Sequence, residues 1–234
     1  MDDFIGIAII SIVAASFLAA ALSLVSQRRR RLRVRESSRD LAAALGLDFI
    51  EGEAAFRKFF EEAGQGENPV RLEQLPPALL RLYRPESYWR MEGERHGVRV
   101  AVFTETRQGS KSSTTYIIAR AYLPAPPDFR LALAREGFFT RVGKALFGLQ
   151  DIETGDAAFD AAFRVKSSEP DAARLFLGRP GLRAALLEAQ ARWPSLSLTG
   201  AWVHWERVGM VGEKAELSAV LDALARIAAA SGGP

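Results

Sequence analysis

SYWRMEGERHGVRVAVFTETRQGSKSSTTYIIARAYL, residues 87–123, decides the fold class. Its apolar residues recur with a period of two, so successive side chains point to opposite faces of a strand. Val98, Val100 and Val102 alternate with Arg99, Ala101 and Phe103. Gly97 marks one tight turn and Gln108-Gly109-Ser110 the next. These breaks divide the stretch into strands at SYWRMEGER, GVRVAVFTETR and STTYIIARAYL. Connections this short cannot carry parallel crossovers, so an antiparallel meander follows. Pro124, Pro126 and Pro127 end it, and FRLALARE, residues 129–136, reads as a fourth strand.

Working toward the C-terminus, Phe138 to Gly148 mixes an amphipathic pattern with helix-weakening Gly143 and Gly148. Phe159 to Lys166 reads as a strand with a helical or turn entry. Ser168-Glu169-Pro170-Asp171 suits a helix start, with Ser168 as the cap, and Gly178 as its stop. Leu182 to Trp193 is a second helix, ended by Pro194. Ser195–Thr199 and Ala201–Val208 form a hairpin around Gly200. Glu213 to Ala230 closes the chain with Leu217, Val220, Leu221, Leu224 and Ile227 on one helical face. Strands in a run followed by helices predict an α+β domain, mostly antiparallel sheet with flanking helices. Up to seven strands and a closing helix allow a pleckstrin-like barrel.

Working toward the N-terminus, residues 64–78 are a Gly- and Pro-rich loop, and 36–63 read as helical. There Leu41, Ala44 and Leu45 have helical spacing before Gly46. Phe56, Phe59 and Phe60 form a stripe that is either core or a bilayer contact.

Phe4 to Val25 carries no charged residue and no proline. At 1.5 Å per residue such a helix spans roughly 33 Å, enough for a hydrocarbon core of about 30 Å. A transmembrane helix over 4–25 is expected, because lipid offers no partner for open backbone groups. A cleaved signal peptide fits less well, since the start is acidic (Asp2, Asp3) and the apolar run is long. Arg28, Arg29, Arg30, Arg31, Arg33 and Arg35 follow directly. Cationic flanks stay on the cytoplasmic side, so the N-terminus faces out and the remaining chain faces the cytoplasm of an inner-membrane, single-pass protein. The arginines also suit anionic headgroups. Ser11, Ala15, Ala19 and Ser23 recur every four residues, a small-residue stripe that would let two such helices pair.

The divisions are then an anchor over 4–25, a basic flank over 26–35, a helical and loop lead-in over 36–85, and an α+β domain over 86–230. Residues 1–35 hold a net charge of +4 within a chain total of +3. The basicity therefore belongs to the membrane flank, and the domain lacks the charge excess of a nucleic-acid binder. The chain has no cysteine, which excludes disulfides, thiolate ligands and thiol nucleophiles.

No sequence motif assigns a catalytic, cofactor or metal residue. GSKSSTT, 109–115, lacks the first glycine of a phosphate loop and precedes a strand. DIETGDAAFD, 151–160, misplaces its glycine for a calcium loop and has Ala162 at the twelfth position, so turn and capping roles are expected. Trp202, His204 and Glu206 share one strand face, where a His–Glu pair could support acid–base work.

The stretch from Gly155 to Arg207, with Phe159, Asp160, Phe163 and Val165 as an F-D-x-x-F-x-V motif, resembles a loose group of bacterial single-span membrane proteins of unknown function. Ala44 to Leu47 matches their Ala-Leu-Gly-Leu-like start. That resemblance implies an anchored domain and transfers no catalytic or binding role. The expected function is a membrane-anchored cytoplasmic binding or scaffolding module, with the bilayer and a protein partner or second copy as its partners. The alternatives are a membrane-associated enzyme with an unrecognised site, or a module sensing anionic lipid.

Overall fold

The computed structural model describes residues 33–63, 88–109, 112–135, 148–179, 181–210 and 212–232. They belong to two compact units, Met1–Asp40 and Leu41–Pro234. The expected span 4–25, its Ser11, Ala15, Ala19 and Ser23 stripe, and Arg28 to Arg31 lie outside the described residues. Among the described residues, no helix is long and apolar enough to cross a membrane. In the first unit residues 33–40 are helical, with Arg33 exposed and Arg35 partly so. Ser38 Oγ there donates to the Val34 carbonyl at 2.7 Å.

The second unit is α+β, as the alternation and helical spacing predict. Its described strands form one antiparallel sheet in the order β1-β2-β3-β4-β9-β8-β5-β7-β6. They are β1 Asp48–Glu51, β2 Trp89–Arg95, β3 Val98–Gln108, β4 Ser113–Tyr122, β5 Leu131–Ala134, β6 Gln150–Ile152, β7 Arg164–Ser167, β8 Ser197–Thr199 and β9 Trp202–Val208. Among the described residues, helices that accompany them are α1 Glu53–Ala63, α2 Ala157–Ala162, α3 Pro170–Leu177, α4 Leu182–Arg192 and α5 Lys214–Ser231.

Local chemistry explains the first turns. Residues 41–45 are helical and end at Gly46, whose φ is 68°. The Gly46 N–H reaches the Ala43 carbonyl and the Leu47 N–H reaches that of Ala42, so both orphan carbonyls are satisfied. The chain then forms β1 instead of continuing as the expected helix. Pairing Phe49 with Met91 and Ile50 with Arg90 gives its backbone a ladder that outweighs helical propensity. His96 and Gly97 make the two-residue turn between β2 and β3, with φ of 52° and 73°. Two positive φ values give that turn the twist of the strands it joins. Gly93 packs closely against the start of β1: a Cβ there would lie 2.7 Å from Leu47 Cδ2, so that side chain would have to shift.

The meander is present, and its last strand pairs with β9 from the far end of the chain. The barrel is not. Among the described residues β1 and β6 are the outer strands of an open sheet, and nine strands replace the seven expected. The fourth strand is shorter than read, Leu131–Ala134, and lies between β8 and β7 with all four residues buried. Most of the ambiguous 138–148 segment lies outside the described residues.

One expected cap moves. Glu169 occupies the N-cap of α3 without a side-chain bond, and Ser168 is drawn into the sheet. The Ser168 Oγ accepts from the Arg130 N–H at 3.1 Å while its own N–H reaches the Arg130 carbonyl. Two bonds to one residue outweigh one cap bond.

The core lies between one sheet face and α5. Val98, Val100 and Val102 of β3, Ile117, Ala119 and Ala121 of β4, and Val203 and Trp205 of β9 are buried. Against β3, β4 and β9 lies α5, whose Leu217, Val220, Leu221, Leu224 and Ile227 are buried as read from the sequence.

Candidate functional site

Strand alternation that puts valines on the α5 side must put Arg99, Phe103, Glu105 and Arg107 on the other. The register aligns them with like residues. Arg90 faces Phe103 and Glu92 faces Ala101 across β2–β3. Arg120 faces His204 and Ile118 faces Glu206 across β4–β9. The second face of the sheet is therefore charged and aromatic over four strands.

Its members stack. The Arg90 and Arg120 guanidinium carbons lie 5.1 and 4.9 Å from the centroid of Phe103. Arg120 also lies 4.3 Å from the Trp202 ring, and Arg99 lies 4.3 Å from Tyr122. Arg107 covers Tyr116 at 4.6 Å. Cation–π contacts occur roughly once per 70–80 residues in ordinary structures, so five on one face mark an organised feature.

The helix α1 crosses this face and lowers a carboxylate into it. Glu62 Oε2 accepts from Arg90 Nη1 at 2.9 Å and from Arg120 Nη1 at 2.8 Å. Glu62 Oε1 accepts from Arg90 Nη2 at 2.5 Å and from the Tyr122 hydroxyl. Glu92 meets Lys58 and Arg90, and accepts from Arg99 Nη2 at 3.2 Å. Arg90 is only 2% exposed, which makes this pairing obligatory rather than decorative.

The protonation states follow. Burial opposes ionisation of Glu92, yet the Lys58 hydrogen bond and the charges of Arg90, Lys58 and Arg99 hold it below the usual carboxylate range. Burial pushes the Tyr122 phenol up to about 12, and the neighbouring Glu62 charge adds to the shift. Arg120 is lowered, first by burial and then by Arg90 beside it, although Tyr122 and Glu62 pull the other way.

The expected His204–Glu206 pair does not form. Glu206 is held by Arg107 through bonds of 3.0 and 2.7 Å. His204 Nε2 instead lies 2.9 Å from Ser197 Oγ, a partner that sequence could not place. That hydroxyl belongs to a fully buried residue, and the His204 Nδ1 has no hydrogen-bond partner. Burial first, then the charges of Arg120 and Arg107, lower His204 to about 3 and keep it neutral. The pair is thus a neutral internal contact, without an acid behind the imidazole or open access to the hydroxyl.

The remaining sequence candidates resolve locally. Phe56 is buried with its ring 5.0 Å from that of Tyr88, and Phe59 lies 5.6 Å from the same ring. Those side chains face protein, which removes Phe56 from any bilayer contact. In the acidic run, Asp156 caps α2 by accepting from Ala158 and Phe159 N–H groups. The Asp160 carboxylate accepts from the Thr154 and Gly155 N–H groups and the Thr154 hydroxyl. The Gly109 N–H reaches the Ser112 carbonyl, closing a hairpin where a phosphate loop would need a helix.

Arg90, Arg120, Glu62 and Tyr122 escaped the sequence reading as a set. The available signal was the alternation Arg90–Glu92, Arg99–Phe103 and Arg120–Tyr122 on one strand parity.

No family model matches the chain, and no curated protein matches it. Among solved structures it is similar to the crystal structure of the mycobacterial trehalose monomycolate transport factor A, TtfA, at 10% identity and a TM-score of 0.47. The match covers 84% of this chain and 93% of that one.

Proposed function

We propose that this chain is a single-pass membrane protein whose α+β unit binds an acidic protein partner on the cytoplasmic side. The observation that carries the binding reading is the arginine–aromatic face of β3, β4 and β9. Arg, Tyr and Trp are the residue types enriched at interface hot spots. Here Tyr116, Tyr122 and Trp202 keep partial exposure beneath arginines. The most accessible charge on these strands is positive, with side-chain exposure of 52% for Arg99 against 33% for both Arg107 and Glu105. Stacked guanidiniums are already ordered, so a partner loses little side-chain entropy in docking there. The membrane anchor rests on the uncharged run over 4–25 and the arginines after it.

The enzyme alternative is weakened by the separate engagement of His204 and Glu206. The lipid-sensing alternative loses Phe56 to the interior. Photo-cross-linking from a benzoylphenylalanine placed at Tyr116 in native membranes tests the binding reading. A discrete adduct that weakens with Arg107→Ala is expected. Recovery of only the uncross-linked monomer would overturn it.

A further inference from the structure

The cradle of Arg90, Arg120 and Tyr122 is built by strands, yet its anion comes from α1. Glu62 sits in the last turn of that helix, where the macrodipole disfavours a carboxylate and where no basic residue is present. Helix physics does not call for Glu62; the cradle does. The cradle also has contacts that do not involve α1. Arg90 and Arg120 are held over Phe103, and Arg120 over Trp202, by contacts that lie wholly within the sheet.

The helix is held at its buried side and open to solvent at the other. Among its residues with described burial, Ala55, Phe56 and Glu62 are buried, while Glu53, Ala54, Arg57 and Glu61 are exposed. It follows Gly52, whose φ of 67° makes a sharp corner after an edge strand of four residues. A departure of α1 removes Lys58 and Glu62 together. Arg90, Arg99 and Arg120 then face Glu92 alone, a surplus of two positive charges. Two buried guanidiniums side by side oppose each other's charge unless an anion lies between them, which is the place the Glu62 carboxylate takes.

We propose that α1 is a built-in competitor, a strap whose Glu62 occupies a carboxylate receptor that the partner's own acidic segment enters in its place. This rests on reading the arginine–aromatic face as a binding surface, and it names the chemistry of the entering group. Guanidinium forks match a carboxylate bidentately, and the Tyr122 hydroxyl adds a donor to the same oxygen pair. A tethered segment competes at an effective concentration of about a millimolar, so the partner must add contacts that α1 lacks. Tyr116 on β4 and Arg107 on β3, beyond the cradle on the same face, are placed to supply them.

The test uses the whole 234-residue chain and a labelled peptide of residues 53–63, EAAFRKFFEEA, as the probe. Binding is read by fluorescence anisotropy against the wild type, Glu62→Gln and Glu62→Ala. Emptying the cradle in cis raises the competent fraction, so at least roughly tenfold tighter binding to Glu62→Ala than to wild type is expected. The same peptide carrying Glu62→Gln should lose that gain. Equal affinity for all chains, or no binding, overturns the strap.

Should Glu62→Ala fail to fold, hydrogen exchange on the wild type decides. Amides of α1 must exchange at least roughly a hundredfold faster than those of β3 and β4, the behaviour of a segment that opens locally. Equal protection overturns the proposal. A Glu62→Gln chain that dimerises, and returns to monomer when peptide is added, would assign the cradle to α1 of a second copy and overturn the foreign partner. A Tyr116 adduct without peptide binding leaves the face intact and removes only the strap.

Discussion

The two faces of β3 and β4 are made from alternating positions of the same strands and solve opposite problems. One face buries Val98, Val100, Val102, Ile117, Ala119 and Ala121 under α5, and its stability comes from removing apolar surface from water. The other face sets Arg99, Phe103, Arg120 and Tyr122 among further charges, and every buried charge there needs a partner. The first face tolerates any well-packed apolar set. The second is defined by particular pairs, so it is fragile to single changes and tolerant of matched ones. That asymmetry is how a sheet provides both a scaffold and a site.

The largest expected effect breaks the charged face. Arg90→Met leaves Glu62 and Glu92 facing a lost partner and should cost about 3–5 kcal/mol in urea denaturation. Adding Glu62→Leu to that variant should recover only part of the loss, since an apolar pair replaces the Arg90–Glu62 ion pair while Arg120 loses its carboxylate. A double variant as unstable as the single one would show that both faces respond alike.

On the apolar face Leu221→Ala, at a position with no exposure, should cost about 3 kcal/mol and no second substitution nearby should restore it. Arg99→Ala is the contrasting control on the other side. It is half exposed, so the cost should stay within about 1 kcal/mol, with the partner adduct falling instead.

The smallest effect concerns pH. His204 is lowered in the folded state from an ordinary value near 6.5 to about 3. The unfolded chain therefore binds the extra proton first, and stability falls as pH drops below about 6.5. Glu92 is also lowered, but its contribution is lost only below its ordinary value of 4.5. Between pH 7 and 5 the histidine acts alone of these two. About 1 kcal/mol should be lost there, discounting for its partial exposure, and His204→Gln should flatten the profile. An unchanged slope in that variant would place the pH sensitivity elsewhere.

Periodicity made the meander readable, because alternation is local and the turns at Gly97 and Gly109 are short. It made α5 readable for the same reason at the helical period. It misread β1, where a four-residue segment becomes a strand only because β2 offers a ladder. It misplaced the α3 cap, because Ser168 has a better partner in Arg130, 38 residues away. The site was legible as parity and not as geometry. Arg90 and Arg120 are visibly out of phase with the valines, yet nothing local says that Glu62 lies between them.

By itself the sequence determined the elements set by neighbours along the chain: an uncharged run of membrane length, an arginine collar, a three-strand meander and an apolar closing helix. Only the tertiary structure decided which distant pieces meet. It brought β9 to β4, Ser197 to His204, and the Glu62 carboxylate to two guanidiniums 28 and 58 residues on. The physical reason is that alternation assigns a side chain to a face, whereas the partner of a buried charge is chosen by strand order and by the helix laid across it.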